Sequence, residues 1–228
     1  SDLTIPGQYS PAGLFGIVEE QGSIESLSVR GVVSVSDSAD TTTGGIVGVN
    51  HGTLINCQFT GVVTGDSEVG GIVGRNESEG TIDHSTARAI VTGKSSTGGI
   101  AGYNLGAITG CTNVGSINTE YPEASLDTDG FTAKMVDYIN NKMAAADNDA
   151  TNSVTNVATD TGGIAGRSSG MILTSVNTGT IGYEHVGYNV GGIVGRTDGL
   201  VSGCVNQGRV LGRKDVGGIA GQAEPYRE

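Results

Sequence analysis

Acid–base or nucleophilic chemistry needs titratable groups within reach of one another, and this chain holds few such groupings. Asp83 is followed by His84, a carboxylate beside a base. Cys57, Cys111 and Cys204 could serve as nucleophiles or soft ligands, but none stands beside a plausible base in the sequence. A serine nucleophile of the Gly-x-Ser-x-Gly type is not expected. Asp127-Thr128-Asp129-Gly130 has the composition of the middle of a calcium loop, yet that register places Ser125 at the first ligand position and Val136 where a bidentate Glu belongs. Those aspartates suit the start of a helix better, and calcium independence is expected. His51, His84 and His185 are scattered, with no His-Glu-x-x-His spacing, so zinc is not expected either. Tyr183, His185 and Tyr188 gather in one segment that could touch a sugar or a peptide, or form an ordinary exposed turn. The residues assign no catalytic, metal or cofactor site.

The elements that carry these groups come from a repeat. The chain has 228 residues, 40 of them glycine, four proline and no tryptophan, with 36 % hydrophobic. Glycine is not at every third position, which excludes collagen, and so many glycines inside helices would cost roughly 1 kcal/mol each. Gly-Gly-Ile-(Val/Ala)-Gly begins at Gly44, Gly70, Gly98, Gly162, Gly191 and Gly217, with spacings of 26, 28, 64, 29 and 26. Gly13-Leu14-Phe15-Gly16 aligns with Gly45 to Gly48 as a diverged first copy. A second signature follows each, as in Gly52-Thr53-Leu54-Ile55-Asn56-Cys57 and Gly106-Ala107-Ile108-Thr109-Gly110-Cys111. Six full repeats and a shortened seventh result.

Aligned columns show which side chains face inward. Ile24, Leu54, Ile82, Ile108, Ile172 and Val201 share one column. Further along, columns spaced by two hold Leu27/Cys57/Ser85/Cys111/Ser175/Cys204, then Val29/Phe59/Ala87/Asn113/Asn177/Asn206, then mostly glycine, then Val33/Val63/Val91/Ile117/Ile181/Val210. Period two is strand periodicity, and the intervening residues are more polar. Stacked coils suit such a unit. The expected fold is therefore all-β, a right-handed parallel β-helix (β-solenoid) of about six to seven coils with one helical insertion. Glycine is expected at corners of positive φ and along a tight inner column. Asn113, Asn177 and Asn206 are expected to stack as a ladder, because an unpaired buried amide costs on the order of 1–3 kcal/mol. Cysteines two coils apart would have Cα atoms about 9.6 Å apart, beyond disulfide reach, so three buried free thiols acting as small hydrophobes are expected. Strict alternation through Gly44 to Gly48 would turn the Val47 column outward, yet that column is always Val or Ala, so either Gly48 resets the parity or that face is covered.

A single solenoid domain over 1–228 is thus interrupted by an insertion, 119–161, between coils 4 and 5. In it Phe131, Met135, Ile139 and Met143 recur every four residues, predicting an amphipathic helix over about 130–145. Ala150 to Thr161 reads as loop. The insertion carries −6 of the chain's formal charge of −12. That balance disfavours nucleic acid and anionic membrane surfaces, and no apolar run is long enough for membrane insertion. A catalytic carboxylate pair is not expected on the outer face, since Asp83 and Glu25 are two coils apart with Ile55 between them.

Gly-Gly-Ile-Val-Gly-x-Asn followed by Gly-Thr-Leu-Ile-Asn-Cys and Gly-Val-Val-Thr-Gly resembles the GLUG motif repeat, and the likeness covers nearly everything outside 119–161. Such repeats occur in exported or wall-attached bacterial proteins, including adhesin-like proteins and immunoglobulin A1-cleaving metallopeptidases. The resemblance implies an extracellular or cell-surface setting and is specific for repeat type but not for activity; with no catalytic grouping among the residues, the expected function is a non-catalytic module, an adhesive platform or rigid spacer. Its partners would be a host protein or glycan, or other domains of a longer chain, with no nucleic acid, no cofactor and a monomeric state. An ancillary substrate-binding domain of a secreted metallopeptidase is the alternative, and the peptidases' zinc motif is absent from this sequence.

Overall fold

The computed structural model describes residues 3–7, 10–35, 41–120 and 158–224. The compact unit formed by Ser1–Glu120 and Ala158–Glu228 is an all-β parallel solenoid of about six turns. A complete coil contributes to each of four parallel sheets, here numbered in chain order. Coil 2 supplies Thr43–Gly44 to sheet I, Val47–Asn50 to sheet II, Thr53–Ile55 to sheet III and Gln58–Thr64 to sheet IV. Every neighbour along a sheet is the equivalent strand of the adjacent coil. The register follows the aligned columns, with Ile24↔Leu54↔Ile82↔Ile108↔Ile172↔Val201 in sheet III. Phe15 pairs with Val47, so the diverged first copy stacks in frame.

Leu54, Ile82, Ile108 and Ile172 are fully buried, as are Val33, Val63, Val91, Ile117 and Ile181. Ile24 and Val201, in the outermost full coils, are half-buried. The Val47 column is also fully buried, at Val47, Val73, Ala101, Ala165 and Val194, and not outward. The chain bends at Gly45-Ile46 and its equivalents, so alternation restarts there and both Ile46 and Val47 join the core.

Of glycine's two expected roles the tight inner column holds, since a Cβ on Gly179 would lie 1.7 Å from the Gly115 carbonyl oxygen, whereas the corner role holds only in part. The corner between sheets III and IV has positive φ in every repeat, yet Ser26, Asn56, His84 and Thr174 occupy it alongside Gly110 and Gly203. Glycine is demanded instead by close approach. A Cβ on Gly70 would lie 1.9 Å from the Val73 carbonyl oxygen. A Cβ on Gly163, the second residue of its pentapeptide, would lie 2.5 Å from Cγ of Asn177 across the narrow interior.

Length variation concentrates at one corner. Between sheets IV and I the chain passes from Thr64 to Ser67 in one coil and from Thr92 to Ser95 in the next, but from Ile117 to Thr159 in the fourth. Thr159–Gly162 forms a sheet I strand paired in register with Ser95–Gly98, so the stretch read as loop to Thr161 ends by residue 158. Asn118 also belongs to the solenoid, accepting from Gly93 N–H through Oδ1 (2.9 Å). Residues Tyr121–Val157 form a second unit. The amphipathic helix expected over about 130–145 and the Asp127–Gly130 segment lie outside the described residues.

Candidate functional site

Polar ladders inside the solenoid fix where its outer surface points. Asn113 donates through Nδ2 to Oδ1 of Asn177, which donates to Oδ1 of Asn206, each at 2.8 Å. Each amide also holds the glycine two residues on. Gly115 N–H donates to Asn113 Oδ1 (3.1 Å), and Asn113 Nδ2 donates to the Gly115 carbonyl (3.2 Å). A second ladder runs beside sheet II. Asn50 donates to Asn76 (2.8 Å), Asn76 to Asn104 (2.9 Å), and Asn104 to Ser168 Oγ (3.1 Å). All four residues are fully buried. The signal for it was in the sequence, since Asn follows the pentapeptide by one residue in three consecutive coils, but the column then changes to Ser168 and Thr197.

The cysteine column forms a third ladder. Cys57 N–H donates to Ser85 Oγ (3.1 Å), Ser85 N–H to Cys111 Sγ (3.4 Å), and Cys111 N–H to Ser175 Oγ (3.2 Å). The thiols are thus hydrogen-bonding rungs, not merely small hydrophobes. All three are free; Cys57 and Cys111 are buried, whereas Cys204 is half-buried. Burial pushes the Cys111 thiol up to about 12, opposed by a backbone hydrogen bond from Ser85. The Cys57 and Cys204 thiols are raised by the same cause. A thiol protonated at neutral pH is a poor nucleophile.

Anchored in this way, sheet II presents an outer column running from Ile17 through Val49, Arg75, Tyr103, Arg167 and Arg196 to Gln222. Tyr103 lies between two guanidinium groups, with Arg75 at 5.0 Å and Arg167 at 5.3 Å from its ring centroid. Arg75 is closed off by carboxylates, its Nη1 at 2.7 Å from Glu68 and its Nε at 2.6 Å from Glu77. Arg196 pairs through Nη2 with Glu224 (2.5 Å). Stacked cations on an aromatic ring, in a chain of net charge −12, make this column the most distinctive outer surface among the described residues. It was not recognised from sequence, although Arg75, Arg167 and Arg196 share one position after their pentapeptides.

Of the groups singled out for chemistry, Asp83 and His84 are in contact among the described residues. Glu25, Ile55 and Asp83 occupy successive rungs, so the two acids stay two coils apart. His84 Nδ1 lies 2.9 Å from Asp83 Oδ2, with the imidazole 69 % exposed. His51 and His185 lie in other coils, and Tyr183 bridges to Val186 in a turn that leaves His185 exposed. Tyr188 instead lies under Arg213, 5.9 Å from its guanidinium carbon. Among the described residues no group of three His, Cys, Asp or Glu is placed to hold a metal ion. The Gly-x-Ser-x-Gly spacing does occur, at Gly166–Gly170, contrary to expectation. Its Ser168 is a fully buried ladder rung, not an exposed nucleophile on a strand-to-helix elbow. No helix among the described residues is long and apolar enough to cross a membrane.

A stack of 26–29-residue coils closed by Asn, Ser and Cys ladders defines a repeat protein of the parallel β-solenoid class. Residues 65–92 match the family model of the GLUG motif, and the match spans the sheet I to sheet IV strands of coil 3. Over 75 residues it is 36 % identical to Halomucin of Haloquadratum walsbyi (strain DSM 16790 / HBSQ001), covering 33 % of this chain and 1 % of that protein. The chain therefore corresponds to a very small part of that relative's length. No solved structure gives a significant match.

Proposed function

We propose that the chain is a non-catalytic extracellular module of a bacterial surface or secreted protein, acting as an adhesive or binding platform on a rigid stack. The observation that carries this reading is the cation–aromatic column on sheet II, held at a fixed strand spacing by fully buried ladders. Such a surface is preorganised, and a preorganised surface loses little conformational freedom on binding. GLUG repeats and the similarity to a protein named as a mucin support a surface setting. The coil is taken as right-handed, the hand that parallel crossovers overwhelmingly adopt. Partners would be a host protein or glycan, or neighbouring domains of a longer chain, and the module itself would be a monomer.

Screening the chain against glycan and host-protein arrays tests the reading. Saturable binding without turnover of any bound glycan is expected. Depolymerisation of a glycan that disappears in Asp83→Ala would replace it with an enzymatic function, and an array without any binder would reduce the module to a spacer.

A further inference from the structure

Three regions could carry an additional site: the outer face of sheet IV, the corner between sheets IV and I, and the Arg167–Arg196 end of the sheet II column. In the last, carboxylates that pair with an arginine in one coil are replaced or turned away in another. Coil 3 provides the internal reference. There Arg75 meets Glu77, two residues after it, and Glu68, seven residues before it. In coil 5 the residue two after Arg167 is Ser169, and the residue seven before it is Asp160. Asp160 is 8 % exposed and accepts from Asn189 Nδ2 at 2.6 Å. Both equivalent carboxylates are therefore missing or engaged elsewhere, and among the described residues no carboxylate pairs with Arg167.

The next rung compounds this. Arg196 is the register partner of Arg167, so two guanidinium-bearing strands lie about 4.8 Å apart, and like charges directly opposite on a sheet repel. Glu224 engages Arg196 Nη2 only, while Arg196 Nε is buried and without a hydrogen-bond partner. Asp198, which stands where Glu77 stands in coil 3, makes no ion pair with Arg196 among the described residues. Two neighbouring cations are thus matched by a single carboxylate, which engages Arg196 alone. Beside them, Tyr103 Oη and Ser169 Oγ lie 3.3 Å apart, a pair of hydroxyls able to donate or accept.

We propose that Arg167 and Arg196, with the Tyr103 and Ser169 hydroxyls, form a subsite for the carboxylate of an acidic sugar. This deepens the reading of the module as a binding platform and rests on it. Arginine presents a planar fork matched to carboxylate geometry, and the orphaned Nε supplies a further donor. The hydroxyl pair suits the ring hydroxyls of the same sugar. The chain's net charge of −12 repels densely charged polyanions, which favours a ligand whose carboxylates are spaced by neutral, hydroxylated groups.

The test follows the arginine Nε–H resonances of the labelled full chain while glucuronate, glucose or inorganic sulfate is added at low salt. Saturable shifts of Arg167 and Arg196 with glucuronate, weaker with sulfate and absent with glucose, are expected. Arg167→Met should weaken glucuronate at least tenfold with unchanged circular dichroism, and Arg88→Met, at an exposed position of sheet IV, should leave it within about twofold. No saturable shift, equal shifts with glucose or sulfate, or equal losses in the two variants would overturn the subsite. Array binding that persists in Arg167→Met would remove the subsite and leave the platform standing. Glucuronate binding with an empty array would do the reverse.

Discussion

Sheet IV is built differently in the two halves of the solenoid. In coils 1 to 3 its strands are Ser28–Val35, Gln58–Thr64 and Thr86–Thr92, paired without interruption. In coil 4 the same stretch is cut into Thr112–Asn113 and Ser116–Ile117, and in coils 5 and 6 only Val176–Asn177 and Val205–Asn206 persist, followed by single bridges at Ile181 and Val210. The inward residue at the break explains the change. Val29, Phe59 and Ala87 have no polar atoms, so the backbone beyond them pairs with the next coil. Asn113 and Asn177 instead capture the N–H and C=O of the glycine two residues on, and the strand turns. One buried amide per coil decides whether the chain runs straight or makes an extra corner, and apolar spacing alone does not reveal it. The outer surfaces differ accordingly. The straight half shows a row of Val32, Val62 and Ile90, the outer two of them exposed, which the cut half lacks.

Removing the filler of the straight half should have the largest effect. Phe59 is the bulkiest fully buried side chain, and Phe59→Ala should cost about 3–5 kcal/mol, read from the urea midpoint at unchanged slope. A loss near 1 kcal/mol would mean that the two halves do not differ in how their interiors are filled. Asn177→Leu comes next. It strands Gly179 N–H and C=O and one amide of Asn113, each unsatisfied buried group costing about 1–3 kcal/mol. A loss of roughly 3 kcal/mol is expected, with hydrogen exchange speeding at Gly179 but not at Gly61. Equal protection at both glycines would show that the amide ladder does not make the corner.

The smallest effect sharpens the contrast between ladder chemistries. Cys111→Ser should change stability by about 1 kcal/mol or less at pH 7, because Ser85 and Ser175 already occupy its column. The variant should differ at alkaline pH. With the folded thiol raised to about 12 from its ordinary value of 9.0, the unfolded state releases its proton first. Stability is therefore intact below about pH 9 and falls between 9 and 12, by up to about 1.4 kcal/mol per pH unit. Urea midpoints of wild type and Cys111→Ser across that window measure the difference, and parallel declines would assign the loss to other groups.

Most of the fold was legible from the columns, because a solenoid writes each spatial neighbour as a recurring residue type 26–29 positions away. The Asn113–Asn177–Asn206 ladder was readable for that reason. The ladder from Asn50 was harder, since its column passes into Ser168 and Thr197 and loses its uniform chemistry. The parity of Val47 stayed open between a reset near Gly48 and a covered face, because a bend at Gly45-Ile46 leaves no trace in an alternation pattern. Glycine composition suggested positive φ, whereas the backbone contacts that exclude a Cβ at Gly70 become visible only in three dimensions. The Arg167 subsite was least accessible of all. It depends on which way Asp160 points, and a sequence states the presence of a carboxylate without its direction.

The corner that absorbs most of the length variation also bears on how the chain folds. Asn76 and Asn104 meet across 28 residues, whereas Asn104 and Ser168 meet across 64. In the unfolded chain, closing the longer separation costs only about 0.7 kcal/mol more, since loop entropy grows with the logarithm of length. That is less than one orphaned amide. Sequence added at this corner therefore taxes the search for the native register very little, and the fifth coil can template on the fourth almost as readily as the fourth does on the third.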